Sequence, residues 1–351
     1  MTEMMRAVLL TAHDGLDSIV VGEKAKPEPG HGEVLVKVAA SSLNRVDLYL
    51  ACDGRGYNPQ MPLVMGLDGA GVIEAVGPGV TVREPGERVV LYPLRFGLDE
   101  FSRRGDQMMT RTLQVLGEHH DGCMADYVVV PEANAFPIAD ALSFQAASVL
   151  PTAYLTGWRM ITTAGEVNQD DWVLIHGIGG GVSMATLQFC NIRNARTIVT
   201  SSSDEKLEEA RRQGAEVLVN YKTQDVLGEV KRATGGRGVD VVVENVGEAT
   251  WPISLRAVVP GGRIVCCGAT SGPGPSADLQ RVFIRQIQIR GVTLGNYEEF
   301  RTLIDAAERK LFEPYIDRFF PIAEAGDAFA RLHAQQQTGK VGLTINEDLG
   351  P

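Results

Sequence analysis

The sequence predicts an α/β protein of two domains, one of them inserted into the other. The chain has 351 residues, which exceeds the usual size of a single hydrophobic core. From Asp170 onward apolar strands alternate with helices, as in WVLIHG, the helix 182–191, TIVTSS and the helix 204–213. This alternation is typical of a parallel sheet covered by helices on both faces, because parallel strands need crossover connections. It predicts a Rossmann-type domain.

The residues on either side of this segment predict a second, β-rich domain. Strand-like runs such as RAVLL, EVLVKVAASSL, GAGVIEAVG and ERVVLY are separated by turns rich in glycine and proline. Near the C-terminus the helical EEFRTLIDAAERK and the strand-like GKVGLTI no longer follow the strand-turn-helix order. We therefore expect residues 1–147, completed by 297–351, to form the β-rich domain and residues 148–296 to form the Rossmann domain.

Composition and charge narrow the range of functions. Hydrophobic residues make up 44% and charged residues 22% of the chain, which is typical of a soluble globular protein. The apolar runs are far shorter than the roughly 20 residues of a membrane span, and the N-terminus does not resemble a signal peptide, so we expect a cytoplasmic location. The net charge of -11 disfavours nucleic acid as a partner.

A glycine-rich turn between a strand and a helix predicts a dinucleotide site. Glycines let the backbone approach a pyrophosphate, and free N–H groups at the helix start stabilise its charge. A tight turn without a ligand is the alternative. The predicted contacts are Gly177, Gly179, Gly180, Gly181 and Val182.

The next strand indicates which dinucleotide is bound. A site that prefers NAD usually carries an acid at the end of this strand. Here Ser202 and Ser203 occupy that stretch and Lys206 follows. Hydroxyl donors and an ammonium suit a 2'-phosphate, so we expect NADPH. The alternative for Lys206 is a solvated lysine paired with Glu209.

Motifs along almost the whole chain resemble the medium-chain dehydrogenase/reductase superfamily. In family order they are LNRVDLYL, MGLDGAGVIEAVGPGVT, PGERVV, DGCMADYVVVP, VLIHGIGGGVS, GVDVVVENVG, PGGRIVCCGAT, RQIQIRGVTLG and GKVGL. The resemblance implies a GroES-like catalytic domain and a Rossmann domain. It also implies a homodimer through the Rossmann edge strand near residues 286–295, and further cofactor contacts from Thr156, Tyr221, Asn245 and Gly268.

This sequence departs from the resembled zinc alcohol dehydrogenases at the catalytic metal. The positions that match the metal ligands are Asn44, Leu67 and Thr152, and the proton-relaying hydroxyl is replaced by Val46. An amide, an isobutyl group and a hydroxyl are not zinc ligands of the usual kind. Asp68, where those enzymes have Glu, is interpreted as structural.

The lobe from residue 91 to 122 departs in the same way. The positions of its four metal-binding cysteines match Phe96, Asp99, Ser102 and Thr110. The adjacent histidines at 119 and 120 are interpreted as loop residues, because no cysteines with zinc spacing lie nearby. We therefore expect no metal. Within the glycine turn, Ser183 stands where the family has its last fingerprint glycine and is expected to shift the pyrophosphate only slightly.

Without these metal ligands, the chain resembles the zinc-free quinone oxidoreductase and enone or enoyl-thioester reductase branches. Their Asn, Asp and Tyr are spaced as Asn44, Asp47 and Tyr49, which are the expected catalytic residues. Asn44 is either a positioning residue or a helix N-cap, and Tyr49 is either a proton donor or a packed aromatic. Asp47 is expected to orient its neighbours.

The predicted reaction is hydride transfer from NADPH to a quinone or an activated C=C bond. Conjugate addition delocalises the negative charge, whereas an isolated carbonyl depends more on a Lewis acid. Two alternatives remain open: an NADPH-binding sensor without turnover, and a metal-free aldehyde or ketone reductase. Loops around Tyr57, residues 94–101 and Tyr154 are expected to line the substrate pocket.

Overall fold

The computed structural model describes residues 3–56 and 58–350. The strands are β1 (Met4–Leu10), β2 (Ile19–Ala25), β3 (Glu33–Ser42), β4 (Leu63–Val64), β5 (Asp68–Val76), β6 (Arg88–Leu91), β7 (Leu94–Arg95), β8 (Gln114–Val115), β9 (Tyr127–Pro131), β10 (Ala135–Pro137), β11 (Trp172–Ile175), β12 (Arg196–Ser201), β13 (Val217–Asn220), β14 (Val239–Glu244), β15 (Val258–Cys266), β16 (Gln288–Gly291), β17 (Ile316–Pro321) and β18 (Lys340–Thr344). The α-helices are α1 (Arg45–Asp53), α2 (Glu100–Arg103), α3 (Phe144–Ser148), α4 (Leu155–Arg159), α5 (Gly181–Ile192), α6 (Asp204–Arg212), α7 (Val226–Ala233), α8 (Trp251–Ala257), α9 (Leu279–Arg285), α10 (Tyr297–Glu308) and α11 (Ala325–His333).

The chain divides into two compact units. The first, called here the catalytic unit, contains Met1–Ala153 and Asn296–Pro351, and the second, the nucleotide-binding unit, contains Tyr154–Gly295. The sequence placed these divisions after residues 147 and 296. In the structure the first division falls inside a helical stretch that includes the π-helical turn Leu150–Tyr154.

The catalytic unit is built on a largely antiparallel sheet. Its strands run in the order β10-β6-β5-β3-β18-β17, and β9 also pairs with β3. Close approach of β3 and β5 requires Gly71, because a Cβ there would lie 2.0 Å from the carbonyl oxygen of Lys37. Strand β18, from the C-terminal segment, pairs with β3 with Gly342 opposite Ser42. The C-terminal residues therefore form part of the sheet that carries the candidate catalytic residues.

The nucleotide-binding unit has the predicted Rossmann fold. Its strands run in the order β13-β12-β11-β14-β15-β16 and all neighbouring pairs are parallel. The strand order reverses between β11 and β14, which is where dinucleotides bind in sheets of this kind. The helix predicted at 182–191 forms as α5, and the helix predicted at 204–213 forms as α6. The predicted fold class is confirmed.

No helix within the described ranges is both long enough and apolar enough to cross a lipid bilayer.

Candidate functional site

The predicted pyrophosphate turn has the backbone geometry that requires glycine. Gly177 and Gly179 have φ angles of 63° and 113°, a region in which a side chain is strained. Gly180 is the N-cap residue of α5, which begins at Gly181, so Gly181 and Val182 supply N–H groups without partners inside the helix. The turn and the helix start therefore form a site suited to an anion.

Ser183 fits this turn without disturbing it. Its hydroxyl donates a hydrogen bond of 2.9 Å to the carbonyl oxygen of Gly177 and lies 3.4 Å from the carbonyl oxygen of Gly180. The side chain is fully buried. The hydroxymethyl group, which a glycine would lack, thus stabilises the turn through a hydrogen bond within the protein.

Four residues predicted to bind the 2'-phosphate lie at the carboxyl ends of two neighbouring strands. Strands β12 and β13 pair with Ser201 opposite Asn220, so the residues that follow each strand come close together. The Ser203 hydroxyl accepts the N–H of Lys206 at 3.3 Å and caps α6. The Lys206 stem lies over the glycine turn, because a Cβ on Gly179 would be 2.7 Å from its Cδ. The four residues are Ser202, Ser203, Lys206 and Tyr221.

Asn245 provides an acceptor that the protein itself does not satisfy. It follows β14, and its Oδ1 atom is buried with no hydrogen-bond partner among the described residues. A Cβ on Gly177 would lie 3.7 Å from this oxygen, and a Cβ on Gly268 would lie 3.1 Å from the Asn245 carbonyl oxygen. Two glycines therefore keep the space around Asn245 open, which fits a dinucleotide in this unit. Thr156 lies on α4, nearly buried.

Sequence reasoning missed a buried hydrogen-bond chain beneath this region. The Ser254 hydroxyl donates to Glu244 Oε2 at 2.6 Å and lies 3.1 Å from His176 Nε2, while His176 Nδ1 lies 3.3 Å from the Thr200 hydroxyl. Burial lowers the pKa of His176, so the ring is neutral at pH 7. The other Glu244 oxygen accepts from the backbone N–H groups of residues 246 and 247. These hydrogen bonds thus fix the residues on either side of Asn245.

In the catalytic unit the candidate residues surround the buried carboxylate of Asp68. Its Oδ2 accepts hydrogen bonds from the Ser42 hydroxyl at 2.6 Å and from Asn44 Nδ2 at 2.8 Å. Its Oδ1 accepts from the Thr152 hydroxyl at 2.5 Å. Asp68 is fully buried. The structural role expected for Asp68 therefore includes holding Asn44 and Thr152, which the sequence had matched to lost metal ligands.

The charge that balances Asp68 comes from Lys340, which sequence reasoning did not single out. Lys340 Nζ lies 3.3 Å from Asp68 Oδ2 and donates at 2.7 Å to both Asn44 Oδ1 and the carbonyl oxygen of Leu43. Burial lowers the pKa of this lysine, and the neighbouring Asp68 acts in the opposite direction. The available signal was a lysine in the otherwise apolar strand of the motif GKVGL, because a buried charge needs a partner.

Asp47 lies next to this network and is uncharged over part of the neutral pH range. Its Oδ2 accepts the backbone N–H of Asn44 at 2.7 Å, which supports the start of α1. Its Oδ1 is buried without a partner among the described residues. Burial, together with the nearby Asp68 carboxylate, raises the pKa of Asp47 to about 8. Asp47 thus contacts the backbone of Asn44, and its orienting role stays a prediction.

Tyr49 does not point the same way as Asp47. Residues two positions apart on a helix are separated by about 200° around its axis. Accordingly, Asp47 is fully buried and Tyr49 is only half-buried. The structure brings Asn44 and Asp47 together and places the Tyr49 side chain on a different side of α1.

The residues at the matched zinc positions are engaged in other contacts in the structure. Asn44 is hydrogen-bonded to an ammonium and to Asp68, Thr152 donates its hydroxyl to Asp68, and Leu67 is apolar and buried. An ammonium 2.7 Å from Asn44 Oδ1 would repel a second cation at this place. No cluster of three or more His, Cys, Asp or Glu side chains suited to a metal occurs in ranges 3–56 and 58–350.

The lobe that matches the structural zinc region is held by hydrogen bonds. Asp99 caps α2 by accepting the N–H groups of Phe101 and Ser102, and Ser102 Oγ accepts the Asp99 N–H at 2.9 Å. These backbone hydrogen bonds keep the pKa of Asp99 below its usual value. Two of the four positions matched to cysteines, Asp99 and Ser102, thus bond to each other. Phe96 lies 5.4 Å from the Tyr297 ring, between ring centroids.

The two adjacent histidines belong to the loop that follows β8. His119 Nδ1 accepts the Val115 N–H at 3.1 Å, and His120 Nε2 lies 2.6 Å from Gln114 Oε1. Burial lowers the pKa of both imidazoles, so both rings are neutral at pH 7.

The residues expected to line the substrate pocket have different environments. Tyr57 lies outside the described residues. Tyr154 is fully buried in the nucleotide-binding unit, where its hydroxyl donates to Gln188 Oε1 at 3.1 Å and its ring packs on Phe189. The pocket assignment of Tyr154 is therefore corrected to a packing role. Between residues 94 and 101, Leu94 is buried and Leu98 is exposed.

Comparisons with known proteins identify the family. The model of the alcohol dehydrogenase GroES-like domain matches residues 30–140, and that of the zinc-binding dehydrogenase domain matches residues 181–309. A zinc-type alcohol dehydrogenase-like protein of Schizosaccharomyces pombe is 35% identical over 354 residues, which cover 97% of this chain and 100% of that protein. The chain belongs to the medium-chain dehydrogenase/reductase superfamily. It is an oxidoreductase with the GroES-like and Rossmann domains of that superfamily.

Similar solved structures are described with different nicotinamide cofactors. An NAD-dependent alcohol dehydrogenase has 36% identity and a TM-score of 0.93, with 97% of this chain and 100% of that chain covered. A crotonyl-CoA carboxylase/reductase in complex with NADP has 25% identity and a TM-score of 0.88, with 97% and 95% covered. Binding of a nicotinamide dinucleotide agrees with both, and the choice between NAD and NADP depends on the residues of this chain.

We predict that Asp47 makes the stability of the fold depend on pH. The folded protein holds the Asp47 proton up to about pH 8, whereas the ordinary value is 3.8. Raising the pH from about 4 to about 8 should therefore destabilise wild type relative to Asp47→Asn, by about 1 kcal/mol per pH unit at most. Urea unfolding across this range measures the difference. Asp327→Asn, at an exposed position, is the control, and a flat difference for Asp47→Asn would contradict the prediction.

Proposed function

We propose that the protein is an NADPH-dependent reductase that transfers hydride to a quinone or an α,β-unsaturated carbonyl compound without zinc. The observation that carries the proposal is the ionic network of Asp68 and Lys340. It uses Asn44 and Thr152, at positions matched to metal ligands, as hydrogen-bonding groups. The buried negative charge of Asp68 is balanced by the ammonium of Lys340.

The preference for NADPH is supported by the ends of β12 and β13. The end of β12 carries serines, and the Lys206 stem lies over the glycine turn. An ammonium and hydroxyl groups favour a phosphate on the adenosine ribose. One acid, Asp204, lies close by, but its Oδ1 accepts a 2.7 Å hydrogen bond from Asn220 Nδ2. It is thus held by the neighbouring strand.

The proposed mechanism assigns binding and proton transfer to different side chains. Bound NADPH supplies a hydride. The N–H groups at the start of α5 hold the pyrophosphate, and the unsatisfied Asn245 Oδ1 accepts a hydrogen bond from the cofactor. Tyr49, half-buried on α1, donates a proton to the substrate oxygen directly or through water. Asn44 retains one Nδ2 hydrogen beyond the one given to Asp68, and this hydrogen is its donor toward the substrate.

Conjugated acceptors suit this donor set better than isolated carbonyls. Hydride addition to an enone or quinone spreads the negative charge into an enolate or hydroquinone, which a few neutral hydrogen-bond donors can stabilise. Tyr49 and Asn44 are both neutral donors, and the one ammonium of the network is already bonded to Asp68, Asn44 and Leu43. These neutral donors, next to an ammonium whose contacts are already taken, support a conjugated acceptor as the substrate.

The proposed function is tested by NADPH oxidation in the presence of a chelator. We expect turnover with a quinone or an enone, and we expect Tyr49→Phe to lower kcat by about 100-fold or more without changing the dissociation constant of NADPH. Tyr127→Phe, on β9, is the matched control. Activity on aldehydes alone would indicate a metal-free carbonyl reductase, NADPH binding without turnover would indicate a sensor, and a requirement for added zinc would refute the proposal.

We predict that Lys206 determines the preference between the two cofactors. Lys206→Ala should weaken NADPH binding by about 10- to 100-fold, the effect of losing a charge-assisted contact, and should leave NADH binding almost unchanged. Titration of nicotinamide fluorescence gives both dissociation constants. Lys231→Ala, exposed on α7, is the control. An equal loss of affinity for the two cofactors would show that Lys206 supports the glycine turn and does not contact the 2'-phosphate.

We also propose a homodimer through the edge of the Rossmann sheet. Strand β16 is an edge strand, and beside it Leu279, Phe283 and Ile284 are 72%, 68% and 62% exposed. Ile289, on β16 itself, is 44% exposed. An edge strand can pair antiparallel with its own copy about a twofold axis, which would also cover these apolar side chains. A second copy of this chain therefore fits this surface.

Sedimentation velocity tests the dimer. Wild type should sediment as a dimer at micromolar concentration, and Phe283→Asp should shift it to monomer, because the new charge would be buried in the interface. Leu311→Asp, at another exposed apolar position, should remain dimeric. A wild-type protein that is monomeric at all concentrations would disprove the proposal.

A further inference from the structure

We infer that Lys340 is a positioning residue, which together with Asp68 fixes the side chain of Asn44 in one orientation. The inference deepens the proposed function and rests on it for its kinetic consequences. It assigns a role to a residue at the start of β18, far in sequence from the other residues of the site.

The Lys340 ammonium has an acceptor for each of its three hydrogens. The acceptors are the Leu43 carbonyl oxygen at 2.7 Å, Asn44 Oδ1 at 2.7 Å and Asp68 Oδ2 at 3.3 Å. An ammonium has three donors and no acceptor, so its hydrogen-bonding capacity is used completely. Lys340 is therefore held at a single place, although its side chain has four rotatable bonds.

The distances show that Lys340 contacts Asn44 more closely than it contacts Asp68. The ammonium lies 0.6 Å closer to the Asn44 amide oxygen (2.7 Å) than to the Asp68 carboxylate (3.3 Å). A lysine whose only role was to neutralise Asp68 would make its shortest contact with the carboxylate. Its shortest side-chain contact is instead with Asn44.

The two charges together determine which way the Asn44 amide faces. The two ends of an amide have nearly the same shape but opposite hydrogen-bonding character. The ammonium can only donate, so the amide oxygen must face Lys340. The carboxylate can only accept, so the amide NH2 must face Asp68, as the 2.8 Å bond shows. Rotation of the amide by 180° would place donor against donor and acceptor against acceptor.

The fold places Lys340 opposite Asn44 through the sheet. Strand β18 pairs antiparallel with β3, with Gly342 opposite Ser42, and the Leu43 N–H donates to the Val341 carbonyl oxygen at 2.9 Å. Continuing this register brings residue 340 level with residue 44. Backbone pairing thus fixes the base of the lysine, and the Leu43 carbonyl fixes its tip.

A positioning role has a kinetic consequence that neutralisation alone does not have. If Lys340→Met folds, the Asn44 amide oxygen loses its donor and only the Asp68 contact still holds the side chain, so kcat for the enone or quinone should fall by about 10- to 100-fold. The dissociation constant of NADPH should stay within about twofold. Lys231→Met, the same substitution at an exposed position on α7, should change neither. An unchanged kcat in folded Lys340→Met would overturn the inference.

A second variant separates positioning from stability. Lys340→Met leaves Asp68 buried and uncompensated, whereas Lys340→Met with Asp68→Asn removes both charges. The double variant should regain thermal stability relative to Lys340→Met, while its kcat stays low because neither charge orients Asn44. Recovery of kcat together with stability would mean that Lys340 only neutralises Asp68, and it would overturn the inference.

A measurement without turnover distinguishes failure of this inference from failure of the proposed function. In wild type, the Asn44 side-chain NH2 should give a resolved pair of proton signals in a nitrogen-correlated NMR spectrum, assigned by their loss in Asn44→Asp. These signals should shift and broaden in Lys340→Met. If no acceptor is reduced by wild type, the proposed function fails and the NMR result still decides the role of Lys340. Unchanged signals would overturn it.

Discussion

The buried pair of Asp68 and Lys340 joins several elements of the catalytic unit through hydrogen bonds. Two oxygens of one carboxylate accept hydrogen bonds from β3, from the residue before α1, from Thr152 and from the first residue of β18. Burying a charge is costly unless it is paired and hydrogen-bonded, and both conditions are met here. Burial raises the pKa of the neighbouring Asp47, and the Asp68 carboxylate adds to this effect, whereas Lys340 acts in the opposite direction.

The fold could be predicted from the sequence because its signals are local. Strand, glycine turn and helix follow one another within short windows, and the structure has the predicted Rossmann order of strands. The division between the units was harder to place, because it falls inside a helical stretch with no clear change of pattern. Local periodicity identifies elements well, but it does not show which element packs with which.

The candidate site could be predicted only in part, for a related reason. Asn44 and Asp47 lie on one helix turn, so their spacing was informative. Lys340 meets Asp68 across 272 residues of sequence, and no spacing rule reaches that far. His176 was missed because a single histidine at the end of an apolar strand does not indicate its partners, which come from β12 and α8. Tyr49 was grouped with Asn44 and Asp47 by sequence, yet the helix places its side chain on a different side from Asp47.

The lobe after β7 is held by hydrogen bonds, and this affects how it responds to oxidants, chelators and low pH. Its turn is held by the carboxylate of Asp99 and the hydroxyl of Ser102, at positions that the sequence matched to metal-binding cysteines. Unlike thiolates, a carboxylate and a hydroxyl are not readily oxidised. Their hydrogen bonds also need no metal ion that a chelator could remove. The carboxylate also stays ionised at lower pH than an ordinary aspartate, because backbone N–H groups stabilise its charge. The shape of this lobe should therefore persist when metal is scarce or when thiols are oxidised.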